Sequence, residues 1–476
     1  VSFEVREKKM KDKPDLLFFF TDDQRFDTLH ALGNDQIHTP NLDALVARGT
    51  TFTRAHIPGG TCDAVCMPSR AMLHSGRTLF HLDREGQEIP EAHTTLGECF
   101  RAAGYTTFGT GKWHNGRSSF ARSFSCGDEI FFGGMGDHWN VPAYRFDPTG
   151  NYQGKCPFVA EPVHSNKLTY RDCDHIEAGK HSTDLFVDAS LRFLETRNTA
   201  EPFLMYVSLM APHDPRTMPK RFLELYDPKE IPLPGNFLPE HPIDTGALKI
   251  RDEMLAEFPR DPDEIRRHIA EYYAMISHLD HALGRLVAAL EAKGELENTI
   301  IVFAGDNGLA VGQHGLMGKQ NLYDHSVRVP LVFAGPGVPQ DRQSDGLVYL
   351  LDIFPSLCEL SGVEVPESVE GKSVVPCLTD DTAKTRSSLL LSYADGIRGV
   401  TDGRHKLIEY ACGETQLFDL SLDPMEIENI AAREDSSTVL QQLRQTLLSL
   451  SKEWEDESHP MGHKFWTMRA DLRVDH

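Results

Sequence analysis

Two acidic clusters and one cysteine motif supply the residue types from which chemistry could be built. Asp22 and Asp23 are adjacent at the end of an apolar run, and Asp306-Asn307-Gly308 adds a carboxylate and an amide oxygen after another run far along the chain. Neighbouring carboxylates on an extended segment point apart unless something draws them together, and a divalent cation does that. Every donor in the set is oxygen, which favours Ca²⁺ or Mg²⁺ over zinc. Each piece also has an ordinary reading: an Asp that caps a helix, and a turn at Asp-Asn-Gly. Cys66-Met67-Pro68-Ser69-Arg70, followed by Leu73-His74-Ser75-Gly76-Arg77, places a thiol four residues before a guanidinium. Taken alone, a buried inert cysteine at a helix start would account for it.

These groups are scattered, so the scaffold must gather them. Residues 16–20 form a short apolar run that ends at Thr21-Asp22-Asp23, the pattern of a buried parallel strand. The same grammar recurs at 106–110 before Gly111-Lys112-Trp113-His114, at 203–209 before Ala211-Pro212-His213-Asp214, and at 299–304 before Gly305-Asp306-Asn307. Open α/β sheets place their chemistry at such carboxyl ends of strands. Helical periodicity over 41–48, 183–197 and 265–293 lies between the runs. The expected fold is therefore α/β: a large mixed, mostly parallel sheet sandwiched by helices. Composition shifts near residue 380, after which short runs at 388–393, 398–400, 406–410 and 415–419 predict hairpins, followed by a helix over 437–455. This divides the chain into a catalytic domain, 1–380, and a smaller antiparallel-sheet subdomain, 381–476.

With 476 residues, 40% hydrophobic and 25% charged, the chain can bury a large core. Its 48 basic against 71 acidic residues leave a formal charge of -23, which repels polyanions and argues against nucleic acid as a general partner. An anionic substrate would need a local basic pocket working against that field. Residues 1–14 are charged and lack an apolar leader core, and no later stretch is long and apolar enough to span a bilayer. The nine cysteines have no zinc-type spacing.

The Cys66–Arg70 motif with Gly76-Arg77 resembles that of the type I, formylglycine-dependent sulfatases of the alkaline phosphatase-like superfamily. The likeness extends to the N-terminal aspartates, the distal Asp-Asn, the 315–330 loop with Tyr323 and Arg328-Val329-Pro330, and the His405-Lys406-Leu407-Ile408 segment. Ser75 departs from the family's usual threonine but keeps the hydroxyl. The resemblance implies that a maturase oxidises Cys66 to formylglycine. It also implies that Ca²⁺, or Mg²⁺, is held by Asp22, Asp23, Asp306, Asn307 and the modified Cys66. A thiolate is a poor ligand for a hard cation, whereas hydrated formylglycine offers one hydroxyl to attack sulfur and another whose deprotonation re-forms the aldehyde. By the same resemblance Arg70 holds these groups in place, Lys112 and Lys319 neutralise the sulfate, His114 is the base, and His213 protonates the leaving oxygen.

The implied activity is sulfate ester hydrolysis, with a sulfated carbohydrate as the expected substrate, because loops 128–173 and 214–261 are long enough to build a cleft. The family also favours a periplasmic or secreted location. His138, Trp139, Arg145, His164, His175 and Arg216 are polar or aromatic residues of expected loops and candidates for the substrate rim; most are expected to be structural, and none is assigned a role. The alternatives are a phosphonate monoester or phosphodiester hydrolase of the same superfamily, and a sulfated-glycan binder in which Cys66 stays a thiol.

Overall fold

The computed structural model describes residues 13–473; the charged N-terminal stretch lies, up to Asp12, outside the described residues. The first apolar run becomes the strand Asp15–Thr21, flanked by Thr299–Gly305 and Phe203–Ser208, both parallel to it. From edge to edge the sheet runs Arg342–Ser344, Gly49–Phe52, Leu331–Ala334, Thr299–Gly305, Asp15–Thr21, Phe203–Ser208, Thr106–Trp113 and Cys126–Phe132. Only Leu331–Ala334 runs against its neighbours, so the sheet is mixed but mostly parallel.

All seven residues of Asp15–Thr21 are buried, as expected for a strand covered on both faces. Alternation sends Leu16, Phe18 and Phe20 into one core and Leu17 and Phe19 into the other. Helices Cys66–Ser75, Leu96–Ala102 and Ile353–Leu360 contribute to the first core. Helices Pro40–Ala47, Ser182–Thr196 and Pro262–Ala292 contribute to the second. The longest, Pro262–Ala292, begins at Asp261, whose side chain accepts from the amides of Asp263 and Glu264, with proline at the first helical position.

The hairpin region forms a second sheet, Thr415–Asp419, His405–Tyr410, Ile397–Thr401 and Leu389–Tyr393, all antiparallel. Its remaining strand comes from far upstream: Gly59–Gly60 pairs parallel with Leu389–Tyr393. Gly59 has φ +107°, and a Cβ there would stand 2.0 Å from the carbonyl oxygen of Ser392, so only glycine lets the chain pass. The second sheet thereby grips the backbone six residues before Cys66.

One strand differs from the sequence expectation. The run at 106–110 continues to Trp113, so Lys112 lies within the strand rather than in a loop after it. The pairing with Cys126–Phe132 shifts register between Gly109 and Gly111, a bulge, and Gly111 has φ +86°. The extra residue lies on the partner, between Gly127 and Ile130, while Thr106–Gly111 stays in register with Phe203–Ser208 on its other side.

Candidate active site

Strand ends and one helix start converge on the residues singled out by type. Asp22 and Asp23 follow the central strand, Asp306 and Asn307 its parallel neighbour, and His213 lies five residues beyond Phe203–Ser208. Cys66 is the first residue of the helix Cys66–Ser75, whose last turn closes at Gly76 in the left-handed conformation, φ +66°. All six of these side chains are buried.

The charges interlock. Lys112 Nζ donates to Asp22 Oδ2 and lies 3.8 Å from Cys66 Sγ. Lys319 Nζ donates to Asp23 Oδ1 and lies 3.4 Å from the same sulfur. Arg70 Nε donates to Asp306 Oδ2 at 2.8 Å and its Nη1 to Ser208 Oγ at 2.6 Å, while Nη2 lies 3.5 Å from Asp22 Oδ2. The planar guanidinium thus spans two carboxylates and a hydroxyl. His213 Nε2 stands 3.6 Å from Asp23 Oδ2, and its Nδ1 is 2.9 Å from the Asp214 carbonyl oxygen, which fixes the ring. Asp23 has φ +62° and its amide donates to Asp306 Oδ1 at 3.0 Å. The left-handed turn is what brings the two adjacent aspartates to one side.

A metal-like grouping is present. Carboxylate oxygens of Asp22 and Asp23, Cys66 Sγ and a ring nitrogen of His213 all lie within 4.8 Å of one another. Asp22 Oδ1 and Asn307 Oδ1 are buried and have no hydrogen-bond partner among the described residues. Two orphaned oxygens in an acidic cluster fit a hard cation, since buried polar atoms otherwise find partners. Asp306 is not among the four grouped residues; its carboxylate is taken up by Arg70, the Asp23 amide and Asn307 Nδ2 at 2.7 Å.

The electrostatics follow from burial. Burial alone would raise the Asp22 carboxyl, yet Lys112 and Arg70 hold it far below the usual range. Burial and the neighbouring Asp22 push Asp23 and Asp306 up to about 7. Burial lowers His213 to about 4, with Lys319 adding to the effect, and lowers His114 to about 2. Burial also pushes the Cys66 thiol up to about 11 despite the two lysines, so the unmodified side chain holds little thiolate near neutrality.

A cavity of about 250 Å³ opens onto Cys66, His114, His213 and Lys319. Its outer wall consists of Asp63, Ala64, Gly134, Met135, Ile250, Arg251, Asp252 and Gln320. None of the six rim candidates named from sequence is among them, in keeping with the expectation that most are structural. His138 is buried instead, with Nε2 3.0 Å from the His213 carbonyl oxygen and Nδ1 2.7 Å from Ser182 Oγ. His175 pairs with Glu129 at 2.8 Å, Arg216 turns to His268 at 2.6 Å, Trp139 packs edge-on to His181, and Arg145 and His164 are exposed. The expected loops do reach the wall: Met135 comes from 128–173, and Ile250, Arg251 and Asp252 come from 214–261. Sequence reading missed Ser208 and Tyr272, whose hydroxyl donates to the Asp23 carbonyl oxygen at 2.6 Å. A lone serine or tyrosine carries no spacing signal.

The family model described as Sulfatase matches residues 14–363, and one described as N-sulphoglucosamine sulphohydrolase, C-terminal, matches 312–453. The chain belongs to the sulfatase family. It is a sulfuric ester hydrolase, and the site above lies within the matched span. An arylsulfatase of Clostridium perfringens is 28% identical, covering 95% of this sulfatase and 97% of that protein. An N-acetylglucosamine-6-O-sulfatase of Bacteroides thetaiotaomicron is 25% identical over 94% and 88%. The solved phosphonate monoester hydrolase of Agrobacterium radiobacter shares the fold with a TM-score of 0.71, at 22% identity over 93% and 96%.

Proposed function

We propose that this sulfatase hydrolyses a sulfate ester on a saccharide through a formylglycine made from Cys66. The observation that carries the reading is the position of residue 66, buried between two lysine ammoniums and beside Asp22, Asp23 and His213. Formylglycine there would supply, as its hydrate, an oxygen nucleophile that the thiol cannot provide. Asp22, Asp23, Asp306, Asn307 and residue 66 would hold Ca²⁺, which when bound polarises the sulfate oxygens.

The chain's own groups divide the remaining work. Lys112 and Lys319 face the position of the sulfate with fixed positive charge, in a buried site where such charge counts for more than in water. Arg70 holds Asp22 and Asp306 in register through its fork. His213, anchored at Nδ1 on the Asp214 carbonyl oxygen, presents Nε2 to the leaving oxygen. It can donate there only as the imidazolium, which the negative charge of an arriving sulfate favours against the burial that lowers the free ring. His114 Nδ1 is buried without a hydrogen-bond partner among the described residues, and burial keeps the ring neutral, as a base requires. His213→Ala should reduce kcat/KM by about 10²-fold or more for sugar leaving groups and much less for nitrophenyl; equal losses remove His213 from the acid role.

A saccharide is supported by the named N-acetylglucosamine-6-O-sulfatase relative and by the hydrogen-bonding outer wall of the cavity. Mass analysis of the peptide spanning Cys66, with desulfation of a panel of saccharide sulfates by the same material, tests the proposal. A thiol at position 66 in fully active protein would sink it. The shared fold with a phosphonate monoester hydrolase keeps one rival in view. Faster turnover of an aryl phosphodiester or phosphonate ester than of any sulfate would favour that rival.

A further inference from the structure

The outer wall of the cavity carries charge of a different sign from its floor. Asp63, exposed and three residues before Cys66, accepts from the Tyr393 hydroxyl at 3.3 Å. Asp252, mostly buried, accepts at Oδ2 from Gln320 Nε2 at 2.8 Å, and the same amide nitrogen donates to the Asp63 carbonyl oxygen at 3.0 Å. Gln320 therefore ties both acidic loops together next to Lys319. The wall has one cation, Arg251, and acids already surround it. Its Nε donates to Asp252 Oδ1 at 2.9 Å, its Nη2 lies 4.0 Å from Asp214 Oδ1, and its Nη1 is 2.7 Å from Met135 Sδ.

A substrate entering sulfate-first puts its alcohol half against this wall. Carboxylates accept hydrogen bonds from hydroxyl and ammonium groups, and they repel a second anion. The chain's formal charge of -23 has the same sign. We propose that Asp63 and Asp252 determine specificity by selecting an alcohol whose outer end is a hydrogen-bond donor of positive or zero charge. An ammonium is preferred, and a carboxylate or second sulfate is rejected. The inference rests on the sulfatase reading of the floor and adds the class of leaving group.

The test uses three matched probes, 3-(aminomethyl)phenyl, 3-(hydroxymethyl)phenyl and 3-(carboxymethyl)phenyl sulfate, with the mature enzyme and with Asp63→Asn and Asp252→Asn. Comparing the amine-to-carboxylate ratio of kcat/KM between proteins cancels the probes' intrinsic reactivity. The ratio should exceed one in the parent. It should fall about threefold in Asp63→Asn, an exposed charge, and about tenfold in Asp252→Asn, a buried one. An unchanged ratio in both variants, or a parent that prefers the carboxylate, overturns the proposal. Calorimetric binding of the probes to Cys66→Ala protein gives the same ranking without turnover. Ranked binding with no hydrolysis by the mature enzyme would therefore overturn the proposed chemistry and uphold the ranking, whereas equal binding, or none, overturns the ranking.

Discussion

Arg70 shows how much one side chain can organise. It is 1% exposed, pairs with Asp306 and Asp22, and contacts Ser208 and the ring of Phe20. Lysine keeps the charge but not the fork, leaving at least one of these partners buried and unpaired. Arg70→Lys should lose about 2–4 kcal/mol in urea unfolding and about 10²-fold or more in kcat/KM; near-parental activity would show that the fork is dispensable. Asn307 makes a second residue-scale case, since its orphaned Oδ1 belongs to a ligand set by the fit argued above. In chelator-treated protein, Ca²⁺ at a hundred times its dissociation constant should stabilise the fold by about 3 kcal/mol. Asn307→Ala should weaken calcium binding in a calorimetric titration, and identical isotherms would remove Asn307 from the site. Asp22, Asp23, Cys66 and Arg70 were legible in the sequence because adjacency and a fixed pentapeptide mark them. Asp252 and Arg251 were not, since a charged pair in a long loop looks like any solvated surface.

Elements were legible where their pattern was local. The central strands and the long helix fall close to the expected bounds because apolar runs and 3.6-residue periodicity record burial directly. Leu331–Ala334 and Gly59–Gly60 were missed: four apolar residues have no period, and a glycine pair has no hydrophobic pattern, so only tertiary pairing makes them strands. The bulge beside Lys112, on the partner strand between Gly127 and Ile130, is equally invisible, because it is defined only by the pairing of the two strands. Packing between elements also leaves a measurable mark. Asp280 on the long helix accepts from the Leu42 amide at 2.7 Å and from Asn41 Nδ2 at 2.8 Å, satisfying the start of the Pro40–Ala47 helix. Burial, which outweighs these hydrogen bonds, pushes its carboxyl up to about 6. The unfolded chain ionises this group near 4, so between about pH 4 and 6 the folded state binds more protons and this contribution falls as pH rises. Asp280→Asn should remove on the order of 2 kcal/mol of that loss, seen as a smaller change in urea midpoint between pH 4.5 and 6.5. Parallel pH dependences in the two proteins would assign the slope elsewhere.

At the scale of the whole molecule, sequence composition suggested a boundary near residue 380, and we propose that 381–476 is a subdomain in chain order but not a unit of folding. A third hydrophobic cluster joins Met72 from the Cys66–Ser75 helix with Leu79, Phe80, Tyr349 and Leu351 to Leu389, Leu390, Val400, Leu407, Leu417, Trp454, Phe465 and Trp466. Lys406, buried in the second sheet, pairs with Asp324 and Glu426, and Asp324 lies five residues beyond Lys319. Removing the C-terminal segment would therefore uncover one side of the helix that begins at Cys66. It would also leave Gly59–Gly60 without its partner strand and Asp324 without its lysine. Breaking one partner out of a buried ion pair costs up to about 3–5 kcal/mol, part of which Arg328, 3.2 Å from Asp324, would offset. The exposed apolar surface adds to a loss already sizeable against the roughly 5–15 kcal/mol that holds a typical domain together. A protein ending at residue 380 should accordingly aggregate or melt without a cooperative transition, and Ca²⁺ should not rescue it. Soluble 1–380 protein with a sharp thermal transition would mean that the second sheet decorates the site instead of building it.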